Sequence, residues 1–308
     1  MRGLPLLGSL LTRACRGVLQ RLFRLCPIYS GAGRIANSWP LRALCGHDEI
    51  VRTYLSDGSI VLLNPNDLLG RVTYFFGDPD RKVTWVCKRT LRTGDTVVDI
   101  GANVGVVTLA AAKLIGSTGR VYSFEPQFQL TDLIHRSLLA NSLHCVQVYC
   151  VALSDSDGEG TLYVPSGSSG YGSLTESDNG DGRQIAVKVK HAGRYLAETV
   201  GDVNIRLLKI DVEGHEDAVF RGAYDYLRLN PPDFILFEVT GGDSFWERET
   251  FRILDDLGYD FFGIPHVIFS MRLERLVPGR PPSGDIRDVV AVCRGPNQAK
   301  LLSDLGAQ

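Results

Sequence analysis

At 308 residues the chain is long enough for one large domain, or for one domain with additions. Hydrophobic content of 44% and charged content of 22% are those of an ordinary globule with a full core. A net charge of −2 gives no reason to expect nucleic-acid binding, and seven cysteines, an odd number without any C-x-x-C spacing, argue against a disulfide framework or a zinc ribbon. Reduced thiols in a cytoplasmic compartment are the expectation.

Residues 1–44 carry seven arginines and no acid. Leu6, Leu10, Cys15, Val18, Leu19, Leu22 and Phe23 recur at roughly helical intervals, interrupted by Arg13, Arg16, Arg21 and Arg24. No apolar run approaches the ~20 residues that span a bilayer. The segment reads as a basic amphipathic helix, suited to peripheral contact with an anionic membrane or to packing on the domain that follows. An organelle-targeting peptide has the same composition.

Residues 45–93 read as a cap. Glu49–Leu55 and Ser59–Leu63 flank Asp57-Gly58, a hairpin signal. Asn64-Pro65-Asn66-Asp67 breaks the pattern, and Gly77-Asp78-Pro79-Asp80 opens a helix that runs to about Leu91.

The stretch from Thr96 to Ala112 organises the remainder. Thr96-Val97-Val98-Asp99-Ile100 is a buried strand, Gly101 and Gly105 turn the chain, and Val104, Thr108 and Ala111 begin a helix. Strand, glycine turn and helix form the first half of a βαβ unit, where bare backbone and free N–H groups meet a ligand. The glycines do not make G-x-G-x-x-G, and the carboxylate of Asp99 opposes a pyrophosphate. A ligand without phosphate, with a cationic amino-acid end and a ribose diol, fits Asp99, Gly101, Asn103 and Gly105. S-adenosylmethionine (SAM) is such a ligand.

Arg120–Glu125 is the second strand, closed by Pro126, and it places Glu125 where an acid accepts ribose hydroxyls. A helix through Leu130 to Asn141 and a strand Val146–Val151 follow. Ala152-Leu153-Ser154-Asp155 leaves that strand beside the expected adenine position. Thr161–Val164 and Ile185–Lys190 read as paired strands joined by a Gly-, Ser- and Asp-rich loop, residues 165–183, expected to cover the acceptor site with Tyr171 as its aromatic residue.

Arg206–Ile210 is a further strand, and Asp211, Glu213 and His215 leave its carboxyl edge together. Ligands of open parallel sheets bind at that edge. Glu213 and His215 are candidate bases for an acceptor hydroxyl, and Asp211 a candidate to hold the ammonium end of SAM or to orient the acceptor. Asp211, Glu213, His215 and Glu238 also have the donor types for a divalent cation, although the expectation is a reaction without metal. A strand ending at Glu238, a helix from Ser244 to Leu257, a strand from Tyr259 to Ile264 and a last strand, Asp288–Cys293, complete the sheet. Residues 296–308 read as a tail.

In Val98-Asp99-Ile100-Gly101-Ala102-Asn103-Val104-Gly105, Phe124-Glu125-Pro126, Ala152–Asp155 and above all Lys209-Ile210-Asp211-Val212-Glu213-Gly214-His215-Glu216, the chain resembles the FkbM family of SAM-dependent methyltransferases. The resemblance implies an α/β fold: a doubly wound, Rossmann-like class I methyltransferase sheet of seven strands, the last antiparallel, over residues 94–295. It also implies SAM as methyl donor and O-methylation of a hydroxyl on a sugar, glycolipid or polyketide-type acceptor. The chain departs from the family at His191-Ala192-Gly193, where a Leu-Asp pair is usual, and at Phe76-Gly77-Asp78, where Tyr-Glu is usual. The rival reading is a SAM-binding regulatory or membrane-docked module without transfer activity.

Overall fold

A computed structural model of the chain describes residues 4–26, 28, 30–45, 50–167, 172–174, 182–239, 245–268 and 270–307. Three helices open it: α1 (Leu4–Leu25), α2 (Ala32–Ala36) and α3 (Trp39–Leu44). A hairpin of β1 (Val51–Tyr54) and β2 (Ile60–Leu63) turns at Gly58, whose φ of 85° suits glycine. Helices α4 (Leu68–Phe76) and α5 (Arg81–Thr90) follow. Each begins at an aspartate, Asp67 or Asp80, whose side chain accepts two backbone N–H groups of the first turn.

The catalytic-type core alternates strand and helix: β3 (Thr96–Ile100), α6 (Val106–Ile115), β4 (Arg120–Phe124), α7 (Phe128–Ala140) and β5 (Val146–Tyr149). Three strands then form a small separate sheet, ordered β6-β8-β7: β6 (Ala152–Ser154), β7 (Gly158–Pro165) and β8 (Gly182–His191). The chain returns through α8 (Ala192–Thr199), β9 (Leu207–Ile210), α9 (Glu216–Leu229), β10 (Phe234–Glu238), α10 (Glu249–Asp256), β11 (Tyr259–Pro265), β12 (Glu274–Leu276), β13 (Ile286–Cys293) and α11 (Gln298–Leu305).

Among the described residues the main sheet runs β12-β11-β13-β10-β9-β3-β4-β5. β3, β4, β5, β9 and β10 pair in parallel, and β13 inserts antiparallel between β10 and β11. This is the expected seven-stranded sheet with its last strand reversed. The short β12 adds an eighth strand at the edge, where Glu274–Leu276 pairs antiparallel with Phe261–Gly263 of β11.

Strand alternation divides the core into two layers. Val98 and Ile100 face a cluster with Val219, Phe220 and Leu254 of α9 and α10, while Val97 faces Val86 of α5, Ala111 of α6 and Leu305 of α11. Helices therefore cover both faces, which a parallel sheet of continuous apolar strands requires. Three expectations change here. Helix α5 packs into the main core rather than a separate cap, because Val83, Val86 and Cys87 form its buried face. The C-terminal residues are not a tail: Leu301 and Leu305 are buried against the sheet, and Asp304 accepts from Arg206 at 2.5 Å. The helix expected from Ser244 starts at Glu249, after a single 3-10 turn at Phe245–Glu247.

Of the loop expected to cover the acceptor site, Tyr171 lies outside the described residues. Ser173, within it, bridges by backbone to Tyr163 and donates its hydroxyl to the Glu213 carbonyl at 3.0 Å. Among the described residues no helix is long and apolar enough to cross a membrane.

Candidate active site

The site lies along the carboxyl edge of the parallel strands, and pairing register explains its first layer. Asp99 on β3 lies directly beside Lys209 on β9, and Lys209 beside Leu236 on β10. Two residues further on, and so on the same face, stand Asp211 and Glu238. Glu238 in turn pairs with Asp288 of β13. One sheet face thus carries a row of four carboxylates with a lysine among them.

Lys209 ties the row together. Its Nζ donates to the Gly101 carbonyl at 2.7 Å and lies 3.3 Å from Asp211 and 3.5 Å from Asp99. These two carboxylates hold its pKa up against the opposing effect of burial, which is the largest single influence on it. At the other end Lys82 of α5 reaches Asp288. Burial pushes Asp288 up to about 7 and Glu238 up to about 9, the latter helped by Asp211 and Glu213. Burial and the crowded carboxylates thus favour the protonated form of Glu238.

Two clefts open over this edge. The first, about 540 Å³, is bounded by Glu125, Gln127, Ala152, Leu153, Val212 and His215. Leu174, from the segment between β7 and β8, also lines it. The second, about 1170 Å³, is bounded by Lys82, Glu238, His266 and Asp288. Gly101, Asn103, Asp211 and Glu213 line both, and so form the border across which the two communicate.

Backbone conformation builds that border. Gly101 has φ 78°, and a Cβ on it would lie 1.8 Å from the Asp211 carbonyl oxygen. Only glycine lets the two strand tips approach this closely. Asn103 and Glu213 adopt φ of 54° and 52°, left-handed values that cost energy outside glycine and cluster at functional sites. Asn103 N–H donates to Glu125 Oε2 and Gln127 N–H to Glu125 Oε1, both at 2.9 Å. Each oxygen keeps a free lone pair. Burial nonetheless pushes Glu125 up to about 7. Glu216, the first residue of α9, accepts the N–H groups of Val212 and Gly214 and so closes the turn that carries Asp211 and Glu213.

The expected site residues are not all in the clefts. Asp99, expected to hold the cationic end of the ligand, borders neither one. Its alternation on β3 turns it toward α6, where it is fully buried and accepts from Thr108 at 2.6 Å. It acts as the counter-charge for Lys209. Gly105 also lies outside both clefts. At φ 82° it makes the turn into α6, with Ile134 of α7 packed against it. Glu125, Ala152, Asn103 and Gly101 border the first cleft as expected.

His215 parts from its neighbours. Successive positive φ values at Glu213 and Gly214 reverse the chain, so His215 borders only the first cleft. Its Nε2 pairs with Ser154 Oγ at 2.9 Å and its pKa is lowered by burial. It lines the cleft that also holds Glu125 and Ala152 and not the one lined by Glu238 and Asp288. Asp211, Glu213 and Glu238 instead bring carboxylate oxygens within 4.8 Å of one another, a set that could hold a cation.

Asp288, Lys82 and His266 were not anticipated. Asp288 is the third residue of β13, and the reversed direction of that strand carries it to the ligand edge. Lys82 comes from a helix, and no local spacing links it to residue 288.

The family model described as the methyltransferase FkbM domain matches residues 99–261. Methyltransferase 1 of Beauveria bassiana is 25% identical over 146 residues, covering 42% of this chain and 58% of that protein. The chain thus spans less than two thirds of that curated relative. Among solved structures, a methyltransferase FkbM from Methylobacillus flagellatus is 16% identical with a TM-score of 0.43, covering 71% of this chain and 52% of the other. A SAM-dependent O-methyltransferase from Thermotoga maritima is also 16% identical, with a TM-score of 0.41 and coverage of 80% and 79%.

Proposed function

The chain belongs to the FkbM methyltransferase family, and from that premise we propose that it moves the methyl group of SAM onto a hydroxyl held in the larger cleft. One observation carries this reading: the two clefts meet along Gly101, Asn103, Asp211 and Glu213, at the edge where such sheets bind ligands. Glu125 would accept from the ribose hydroxyls through its free lone pairs. Ala152 and Leu153 would flank the base. Asp211 would face the cationic centre, held in place by Lys209.

SAM supplies an already activated methyl group, so the chain's main task is alignment. Holding acceptor oxygen, methyl carbon and sulfur in line can contribute ~7–11 kcal/mol. The O–CH3 bond forms as the S–CH3 bond breaks, and the hydroxyl proton must leave. Glu213, which borders both clefts, is the assigned acceptor of that proton, with Asp211 orienting the hydroxyl. Burial and the surrounding carboxylates raise the pKa of Glu238, and Glu213, less enclosed, is the group assigned to take the proton. A hydroxyl on a sugar, glycolipid or polyketide-type molecule suits a cleft this size whose inner wall is carboxylate and imidazole.

The test uses labelled SAM with a panel of glycosides, glycolipids and polyketide-type alcohols. Transfer should be seen with the wild-type chain. Glu213→Gln and Asp211→Asn should lose roughly 10²–10⁴-fold in kcat, and His215→Ala should keep turnover. Loss in His215→Ala with full activity in both carboxylate variants would overturn the base assignment. Tight SAM binding with no transfer to any member would favour a binding module, and turnover abolished by a chelator would assign the acidic row to a cation.

A further inference from the structure

The N-terminal helix α1 has two unlike faces. One is docked. Phe23 stacks on Phe76 with ring centroids 4.9 Å apart, and Leu19 packs into the same cluster. Gln20 donates to Thr53 Oγ1 at 2.9 Å and to the Tyr74 carbonyl at 2.8 Å, and Arg24 donates to both as well. These contacts fix the helix on α4 and the β1–β2 hairpin.

The opposite face is apolar and exposed, and no described residue packs on it. Val18, Leu22 and Leu25, spaced i, i+4 and i+7, are 58%, 57% and 82% exposed. Such spacing makes one continuous stripe. In the sequence the same spacing continues backwards through Leu11 and Leu7. Trp39, on α3 of the same helical cap, is 80% exposed.

Charge identifies the occupant. Residues 1–44 hold seven arginines and no acid. Later in the chain several arginines sit among acids: Arg206, Arg221 and Arg294 each hold at least two carboxylates. Arg16, Arg21, Arg24, Arg34 and Arg42 form no ion pair with any described residue. A second copy of this chain would bring the same unopposed charge to the contact and be repelled. A lipid surface bearing phosphate and carboxylate headgroups complements both the stripe and the arginines.

We propose that the outward face of α1 docks in the interface of a bilayer containing anionic lipid. Val18, Leu22 and Leu25 enter the boundary between headgroups and acyl chains, and the exposed Arg21 beside the stripe, with Arg34 and Arg42 of the following helices, meets the headgroups. The segment after α1 supports a functional purpose. Ile28, Gly31 and Arg34 form one wall of an outer groove of about 1560 Å³, and its other wall, at Lys82, His266 and Arg287, belongs also to the larger cleft of the active site. The anchor and the approach to the acceptor cleft are therefore consecutive in the chain.

The full-length chain would be floated with vesicles of phosphatidylcholine alone and with vesicles containing about one third phosphatidylserine. Binding should be at least ~10-fold stronger to the second and should fall as salt rises from 0.1 to 0.5 M. Leu22→Asp with Val18→Asp, and separately Arg21→Glu, should abolish or weaken it by a similar factor, with thermal melting and SAM affinity unchanged. Equal binding to both vesicle types, or binding that survives Val18→Asp/Leu22→Asp, would overturn the proposal. So would a dimer, seen by light scattering without lipid, that Leu22→Asp dissociates, because the stripe would then belong to a second copy.

Discussion

Replacing Lys209 by Met keeps the length of the side chain and removes only the ammonium. Asp211 loses one partner, but its side chain is 38% exposed and can turn to water. Asp99 cannot: its side chain is fully buried and keeps only the Thr108 hydroxyl. The Gly101 carbonyl loses its 2.7 Å donor as well. Removing one partner of a buried pair costs ~3–5 kcal/mol. At ~2–4 °C per kcal/mol for a domain of this size, the melting temperature should fall by ~6–20 °C. Chemical denaturation of wild type, Lys209→Met, Asp99→Asn and the double variant gives the full cycle. The double variant should be more stable than the sum of the single losses predicts, by ~0.5–3 kcal/mol, since it no longer buries an unpaired charge. A loss below about 1 kcal/mol in Lys209→Met with no coupling to Asp99 would refute the account of Lys209 as the strut between the two strand tips.

Gly101→Ala should destabilise the chain and abolish SAM binding measured by calorimetry, because its Cβ meets backbone at 1.8 Å. Gly105→Ala should be milder, since the obstacle is the Ile134 side chain at 2.9 Å. SAM affinity should fall as pH drops below about 7, by up to tenfold per unit. Glu125, raised to about 7 by burial, is protonated there, whereas ribose hydroxyls favour its ionised form and lower its pKa in the complex. Binding at pH 7 should therefore release protons, seen as a dependence of the heat on buffer ionisation, and Glu125→Gln should bind with little pH dependence between 5.5 and 8. Deleting residues 296–308 should cost about 3–6 kcal/mol from uncovering the sites of Leu301 and Leu305, and a truncated chain melting within 2 °C of the full one would contradict that packing.

What could be read from the sequence was local. Gly101, Asn103, Glu125 and Asp211 lie where a strand gives way to a turn, and the short apolar runs before them locate the ligand edge without knowledge of the fold. Asp99 shows the limit of that reasoning. It shares a sheet face with Lys209 and Asp211 but lies two residues deeper than Asp211, and that depth sets it beside Lys209 and against α6 instead of in a cleft. Glu213, Gly214 and His215 show another. Adjacent in sequence, they separate in space because two left-handed residues in succession reverse the chain. Asp288 and Lys82 were illegible because 206 residues separate them, and their meeting depends on how α5 packs beside β13. Helix α11 was missed because its amphipathic stripe is short, with Leu301 and Leu305 its only buried side chains.

The reversed final strand has a consequence for how acceptor choice can vary. The parallel strands deliver their carboxyl ends to the ligand edge, and the tips of β3, β4 and β9 carry Gly101, Asn103, Glu125 and Asp211 of the first cleft. β13 meets that edge with its beginning, so Asp288 and Arg287 are reached directly from the connection at 277–285. Insertions or exchanges in that connection would reshape the outer wall of the acceptor cleft while Glu125, Asn103 and Lys209 stay untouched. A lineage could thus change what it modifies without relearning how to hold its donor.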